Sequence, residues 1–376
     1  MGKRRGKGEG SIFQRANGTW VARLDRGYDE NGKRLRKDVY GKTKREVQEK
    51  LTRMQSDSLN GTLLETQRIT VAEFMKRWLE DAARPSVRET TYVWYEGLIR
   101  LHIAPRIGGV QLAKLTPMHI QGLYSQLERA GASPRLRQKV HAVLHRALNQ
   151  AMKWGYVTRN VCDAVDKPKV AKKDMQVLSP QEVGRFLEAA RDDRLYAMYV
   201  LALTTGLRQG ELLGLYWKDI DLKSGTIAVQ ASLIEVKGQV YRAEPKSAKG
   251  RRQVDIPEVA TAALKEHRKR MLAEGHTATW VFCTRNGTPY RKSNLVQKSF
   301  RPILTRAELP QIRFHDLRHT AATLLLKEGV HPKIVQERLG HSQISLTLDT
   351  YSHVLPSMQK EAADKLDRLF GRLNAE

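Results

Sequence analysis

The period of the apolar residues changes along this chain of 376 residues, and no single layered fold accommodates the change. Residues 11–42 alternate short β-prone segments around Asn17-Gly18 and Asn31-Gly32, the turn pairs of two-residue hairpins. They predict three antiparallel strands, followed by a helix that Thr43 and Glu46 open in capping-box spacing. From about Thr70 to Val165 the period is helical, in "VAEFMKRWLEDAA", "RETTYVWYEGLIRLHIAP", "TPMHIQGLYSQLERAG" and "SPRLRQKVHAVLHRALNQAMKWG". Thr116-Pro117 and Ser133-Pro134 read as starts, Gly131 and Gly155 as stops, and Trp78, Trp94 and Tyr95 fall at core positions. After the lysine-rich linker "DKPKVAKKDMQ", Ser179, Pro180 and Glu182 open another helix. "GTIAVQASLIEV" and "RQVDIP" then alternate with strand period among further helices. The expected fold is multidomain: a small three-stranded β-sheet plus helix over 1–66, an all-α domain over 67–168, and a mixed α+β, mainly helical domain over 169–376.

Charge bounds the partner. Sixty-six Lys and Arg against 40 Asp and Glu leave a net +26, spread along the chain and not gathered in one juxtamembrane run. Such a surface binds a phosphate backbone by counterion release, so nucleic acid is favoured over anionic lipid. The first fifty residues carry 15 basic against seven acidic residues. Arg15, Trp20, Arg23, Lys33, Arg34 and Arg36 lie on or near the expected strands; they form a sheet surface for a DNA groove or an ordinary solvated face. Only Cys162 and Cys283 are present, which gives neither a disulfide framework nor a Cys-based metal site and suits a reducing cytoplasm. No run is apolar enough to span a membrane, and no apolar segment follows the basic N-terminus as a signal peptide requires.

"HDLRH" raises a choice of ligand. His315 and His319 have the i, i+4 spacing of zinc-binding histidines, but Arg318 shares the helical face of His315, where a fixed cation repels a metal and attracts an anion. Taken singly, each polar group here has an ordinary structural reading: Arg208 as a helix-end partner, Tyr351 as a half-buried aromatic.

Taken in order, "TTGLRQGELLGL", "EPKSAKGRRQ", "HDLRHTAATLL" and "LGHSQISLTLDTYSHV" resemble the signature of the tyrosine recombinases, the phage-integrase family. The resemblance extends more loosely over the whole chain, since integrases of this family often add a helical core-binding domain and a three-stranded arm-binding domain. It implies catalytic Arg208, Lys246 on a β-hairpin, His315 and Arg318 of H-x-x-R, His341, and Tyr351 as nucleophile. Lys249, three residues on, is the alternative lysine, because hairpin register cannot be read from sequence. Glu211, Asp316 and His319 read as supporting or packing groups, with Glu211 one turn from Arg208.

The chemistry suits these residue types. Attack of a phenolate on a phosphodiester gathers negative charge on the non-bridging oxygens, which two forked guanidiniums answer. A tyrosine with a pKa of about 10 needs a base, and an alkoxide leaving group needs an acid. His315 suits the tyrosine proton or the phosphate, His341 a non-bridging oxygen, and Lys246 the departing 5′ oxygen. The resulting 3′-phosphotyrosyl bond keeps the phosphoester energy, so strands rejoin without ATP, and neither a metal nor a cofactor is implied. Implied partners are double-stranded DNA at core and arm sites, further copies of the chain as a tetramer on paired sites, and a DNA-bending host factor and an excisionase. Met358, Ala362, Leu366, Leu369 and Leu373 form a C-terminal stripe that packs on a neighbouring protomer or closes its own domain. The rival readings are a zinc hydrolase using His315, His319 and His341, a non-catalytic DNA-binding protein, a type IB topoisomerase, and, within the recombinases, a dimer resolvase or transposon integrase.

Overall fold

The N-terminal strand pattern closes into an antiparallel sheet. In the computed structural model, which describes residues 10–28, 34–59, 69–171, 175–244, 250–276, 279–341 and short pieces between 343 and 370, the chain forms two units, 1–171 and 172–376. In the first unit β1 (Ser11–Gln14), β2 (Trp20–Tyr28) and β3 (Arg34–Gly41) pair in that order. Gly18 takes φ +79° at the first turn, where a residue without Cβ meets no steric cost; Asn31-Gly32 lies outside the described residues. α1 (Lys44–Leu59) begins with the Thr43 hydroxyl accepting from the Glu46 N–H at 3.2 Å. Glu46 returns its carboxylate to the Lys42 N–H at 2.9 Å, so the capping box is displaced by one residue. Ile12, Trp20, Ala22, Leu24 and Val39 form the sheet face that packs on Val47 and Leu51 of α1.

The helical part of this unit comprises α2 (Val71–Trp78), α3 (Glu89–Leu98), α4 (Ala104–Ile107), α5 (Pro117–Arg129) and α6 (Pro134–Lys153). α2 and α3 each run into a π-helical turn, the second joining α3 to α4, so the runs match the four expected helical segments. Ser133 caps α6 by accepting from the Leu136 N–H at 3.2 Å, and Gly131 and Gly155 end α5 and α6 at positive φ. Trp78 and Tyr95 are buried and stacked, as the helical period requires. Trp94 differs: α3 turns Tyr92 and Tyr95 inward at i, i+3, which leaves Trp94 on the flank, 38% exposed beneath the Lys139 ammonium.

In the second unit α7 (Pro180–Ala190) starts with the capping box read from sequence: Ser179 accepts from the Glu182 N–H at 3.3 Å and Glu182 from the Ser179 N–H at 2.7 Å. α8 (Tyr196–Thr205) is apolar around most of its circumference and is the buried centre of this unit. After α9 (Gln209–Leu213) come β4 (Ile220–Asp221), β5 (Thr226–Val229), β6 (Ser232–Val236), β7 (Gln239–Ala243) and β8 (Arg252–Asp255). The helices α10 (Glu258–Ala273), α11 (Lys292–Leu295), α12 (Arg301–Arg306), α13 (Asp316–Lys327) and α14 (Pro332–Leu339) follow, and α7, α10 and α13 pack around α8. The run "GTIAVQASLIEV" is not one strand. β5 joins a β4-β5-β8 sheet while β6 pairs with β7 in a separate hairpin, turned by Lys237 and Gly238 at positive φ.

Candidate active site

Both ends of the site are built on helices that stop at left-handed glycines. α8 ends at Gly206 (φ +65°), and two residues later Arg208 caps α9; α14 ends at Gly340 (φ +67°), and His341 follows. The carbonyls freed at these ends hold the arginines crosswise. Arg318, on α13 and buried, donates from Nη1 to the Gly206 carbonyl at 2.7 Å, while Arg208 donates from Nη2 to the Gly340 carbonyl at 3.2 Å. Three segments remote in sequence thus meet around two guanidiniums. Arg208 keeps its side chain 41% exposed.

Glu211 aims Arg208. It accepts the Arg208 N–H at 2.9 Å and Nη1 at 2.8 Å, and it also accepts both terminal nitrogens of Arg252, at 3.2 and 2.9 Å. Burial alone would push its carboxyl up, but the hydrogen bond and charge of Arg252 and the charge of Arg208 hold it below the usual range. Asp316 is likewise ionised against burial by Arg313, whose N–H it accepts at 2.7 Å and whose guanidinium it grips at the start of α13. Arg252 was not legible as a site residue; its only signal is a charge at an inward position of strand alternation beside Val254.

His315 stands just before α13 and meets His319 edge-on, with ring centroids 4.9 Å apart. Burial, then the charges of His319 and Arg318, push His315 down to about 4. Burial, then Arg318 and Arg208, push His341 down to about 4 as well. Both imidazoles are neutral at pH 7 and free of competition from a proton for the bonds they make. Among the described residues no group of three or more His, Cys, Asp and Glu side chains is arranged to hold a metal ion. The local field is that of an anion site, with Arg208, Arg252 and Arg318 converging on His341.

Lys246, Lys249 and Tyr351 lie outside the described residues, as does Lys33. In the N-terminal sheet, Arg15 covers the Tyr40 ring and donates to its hydroxyl at 3.3 Å, and Arg36 is opposite Asp25. Arg23 is committed to a two-toothed pair with Asp38 at 2.7 and 2.8 Å. Arg34 begins β3, with its side chain outside the described residues. Trp20 does not join these cations. Side chains alternate with period two, so Trp20 shares the face of Ala22 and Leu24 and packs on the α1 core, with the Lys44 ammonium over its ring.

Residues 176–358 match the sequence profile of the phage integrase family, and residues 70–127 that of the phage integrase N-terminal SAM-like domain. A XerC-like tyrosine recombinase of Caldanaerobacter subterraneus is 35% identical, over 92% of this chain and 94% of the relative. The chain belongs to the phage integrase family of tyrosine recombinases. A second relative in the family, the ICEBs1 integrase of Bacillus subtilis, is 28% identical over 96% of this chain and all of its own. Among solved structures, the Tn1549 transposon integrase in complex with a circular intermediate DNA aligns with a TM-score of 0.69 at 24% identity, over 79% of this chain and 99% of that one. A lambda integrase tetramer bound to a Holliday junction aligns with a TM-score of 0.58 at 19% identity, over 93% and 97%. This tyrosine recombinase is thus a site-specific DNA recombinase that binds DNA and breaks and rejoins its strands. No helix among its described residues is long and apolar enough to cross a membrane.

Proposed function

We propose that this recombinase integrates and excises a phage or mobile element by a 3′-phosphotyrosyl route in which Arg208 and Arg318 bind the scissile phosphate, His315 and His341 assist, Lys246 is the general acid and Tyr351 the nucleophile. The observation that carries the reading is the crosswise bracing of the two arginines by the Gly206 and Gly340 carbonyls. It fixes two cations before substrate arrives, so stabilising the extra charge of a five-coordinate phosphorus needs little reorganisation. As the Tyr351 oxygen bonds to phosphorus, its proton leaves toward His315, neutral at pH 7 because burial and its cationic neighbours push it down to about 4. The bond from phosphorus to the 5′ oxygen breaks, and Lys246 gives that oxygen its proton. A bound phosphate also offsets the Arg318 and Arg208 charges that add to burial in depressing His341, which favours the protonated ring, the stronger hydrogen-bond donor to the non-bridging oxygen.

Around this centre, residues 1–66 take arm-type sites, 67–168 grip the core site and 169–376 cut, in the cytoplasm of a bacterial host. Arg15, Arg23, Arg36 and, by sequence position, Lys33 and Arg34 face the arm DNA. The active form is a tetramer on paired sites, a reading supported by the exposed Leu366 and Phe370 of the tail and by the tetrameric lambda relative. A DNA-bending host factor and an excisionase complete the assembly. The deciding experiment is covalent trapping: on a nicked suicide substrate the wild type accumulates protein on a DNA 3′ end, and Tyr351→Phe binds the same DNA without linking. An undiminished adduct in the variant transfers the nucleophile to another tyrosine.

A further inference from the structure

We propose that Arg252 is a positioning residue for strand cleavage: through Glu211 it sets the Arg208 guanidinium, and through the Arg338 carbonyl it ties that arginine to the turn carrying His341. This rests on the reading of Arg208 and His341 as phosphate-binding groups. Along β8 Arg252 and Val254 point inward while Gln253 and Asp255 point out, so a guanidinium occupies a core position with its side chain only 8% exposed. A charge survives there only if fully paired. Arg252 spends its whole fork on the site. Nη1 and Nη2 reach the two oxygens of Glu211 at 3.2 and 2.9 Å, and Nε donates to the Arg338 carbonyl at 2.8 Å.

The same two carboxylate oxygens hold Arg208, so Glu211 is a bridge whose far side Arg252 fixes. Gly340 lies flat against this bridge. A Cβ at that position would stand 2.9 Å from Arg252 Nη1 and 3.1 Å from its Cζ, while the Gly340 carbonyl accepts from Arg208. Lysine has the charge but lacks the fork that meets a carboxylate and a carbonyl together.

The test uses the full chain, a core-site duplex for affinity and a nicked substrate for the single-turnover rate of adduct formation. Arg252→Met should bind DNA as wild type does and cleave about 10²-fold more slowly, the scale of a small misplacement of a reacting group. Glu211→Gln should be slow as well, and the double variant no slower than the worse single one, because both changes cut the same bridge. Arg252→Lys should fail to restore the rate; if Arg252→Met does not fold, the lysine variant carries the same comparison with Glu211→Gln. Arg208→Ala separates this proposal from the site reading. An active Arg208→Ala overturns both, whereas an inert Arg208→Ala beside a fully active Arg252→Met, losses that multiply in the double variant, or full rescue by lysine overturns the positioning role alone.

Discussion

Gly206→Ala tests whether the end of α8 is held by packing as well as by backbone conformation. Two penalties act together. Gly206 sits at φ +65°, where a side chain costs about 1 kcal/mol. An added Cβ would also stand 2.5 Å from Leu339 Cδ2, so that methyl must shift within the buried cluster it forms with Ala322, Leu326 and Val335. Overpacking of that kind costs about 1–3 kcal/mol more. Gly329, which follows α13 at φ +78° with nothing within 4 Å of where a Cβ would stand, supplies the control that carries the backbone cost alone. For a unit of this size each kcal/mol moves the melting temperature by about 2–4 °C. Gly329→Ala should therefore lose about 2–4 °C and Gly206→Ala about 4–16 °C, read by hydrogen exchange at the amides of α8 and α13 during thermal unfolding. Equal shifts in the two variants would refute the packing argument. Gly206→Ala should also cut more slowly even where it is fully folded, because its carbonyl holds Arg318.

Lys246→Ala should be badly impaired on ordinary DNA and largely rescued by a 5′-bridging phosphorothiolate, whose thiolate leaves without a proton; Arg208→Ala should gain much less. Rescue that follows Lys249 instead moves the general acid three residues along the chain. Removal of residues 1–66 should spare cleavage at a core site and abolish recombination that depends on arm sites, and equal recombination by both proteins removes the arm-binding role. His267 is buried, donates from Nε2 to the Val281 carbonyl at 2.7 Å, and is pushed by burial from 6.5 down to about 4. Its neutral form is the one folding favours, so its contribution is complete above pH 6.5 and is lost as pH falls toward 4, by about 3 kcal/mol at most. The urea midpoint of His267→Gln should fall less steeply over that window than the wild type's, and parallel curves would refute the assignment.

Local signals were legible because they act within one turn. Ser133-Pro134 and the Ser179–Glu182 box start helices where they are read, since the groups they satisfy are their own neighbours. Parity decided less well. Trp20 and Arg23 both suit a strand, but their odd separation sends them to opposite faces, and only register and the position of α1 show which face is covered. The alternation through "GTIAVQASLIEV" continues unbroken from Ile227 to Leu233, so it carries no mark of the change of sheet between β5 and β6. For the candidate site, Arg208, His315, Arg318 and His341 were read from motifs, and the structure gathers them. Arg252 escaped because a buried charge makes sense only with its partner, and Glu211 is 41 residues away.

The acceptors that seat Arg208 and Arg318 are peptide oxygens, at Gly340 and Gly206. A peptide oxygen is present whatever residue is encoded, so point changes cannot delete these seats; only a shift in the local chain path can move them. If Arg208 and Arg318 bind the phosphate as proposed, their seats are thereby insulated from side-chain changes elsewhere on the surface. Libraries that vary DNA-facing positions to retarget the recombinase should keep cutting competence as long as both glycines are left in place.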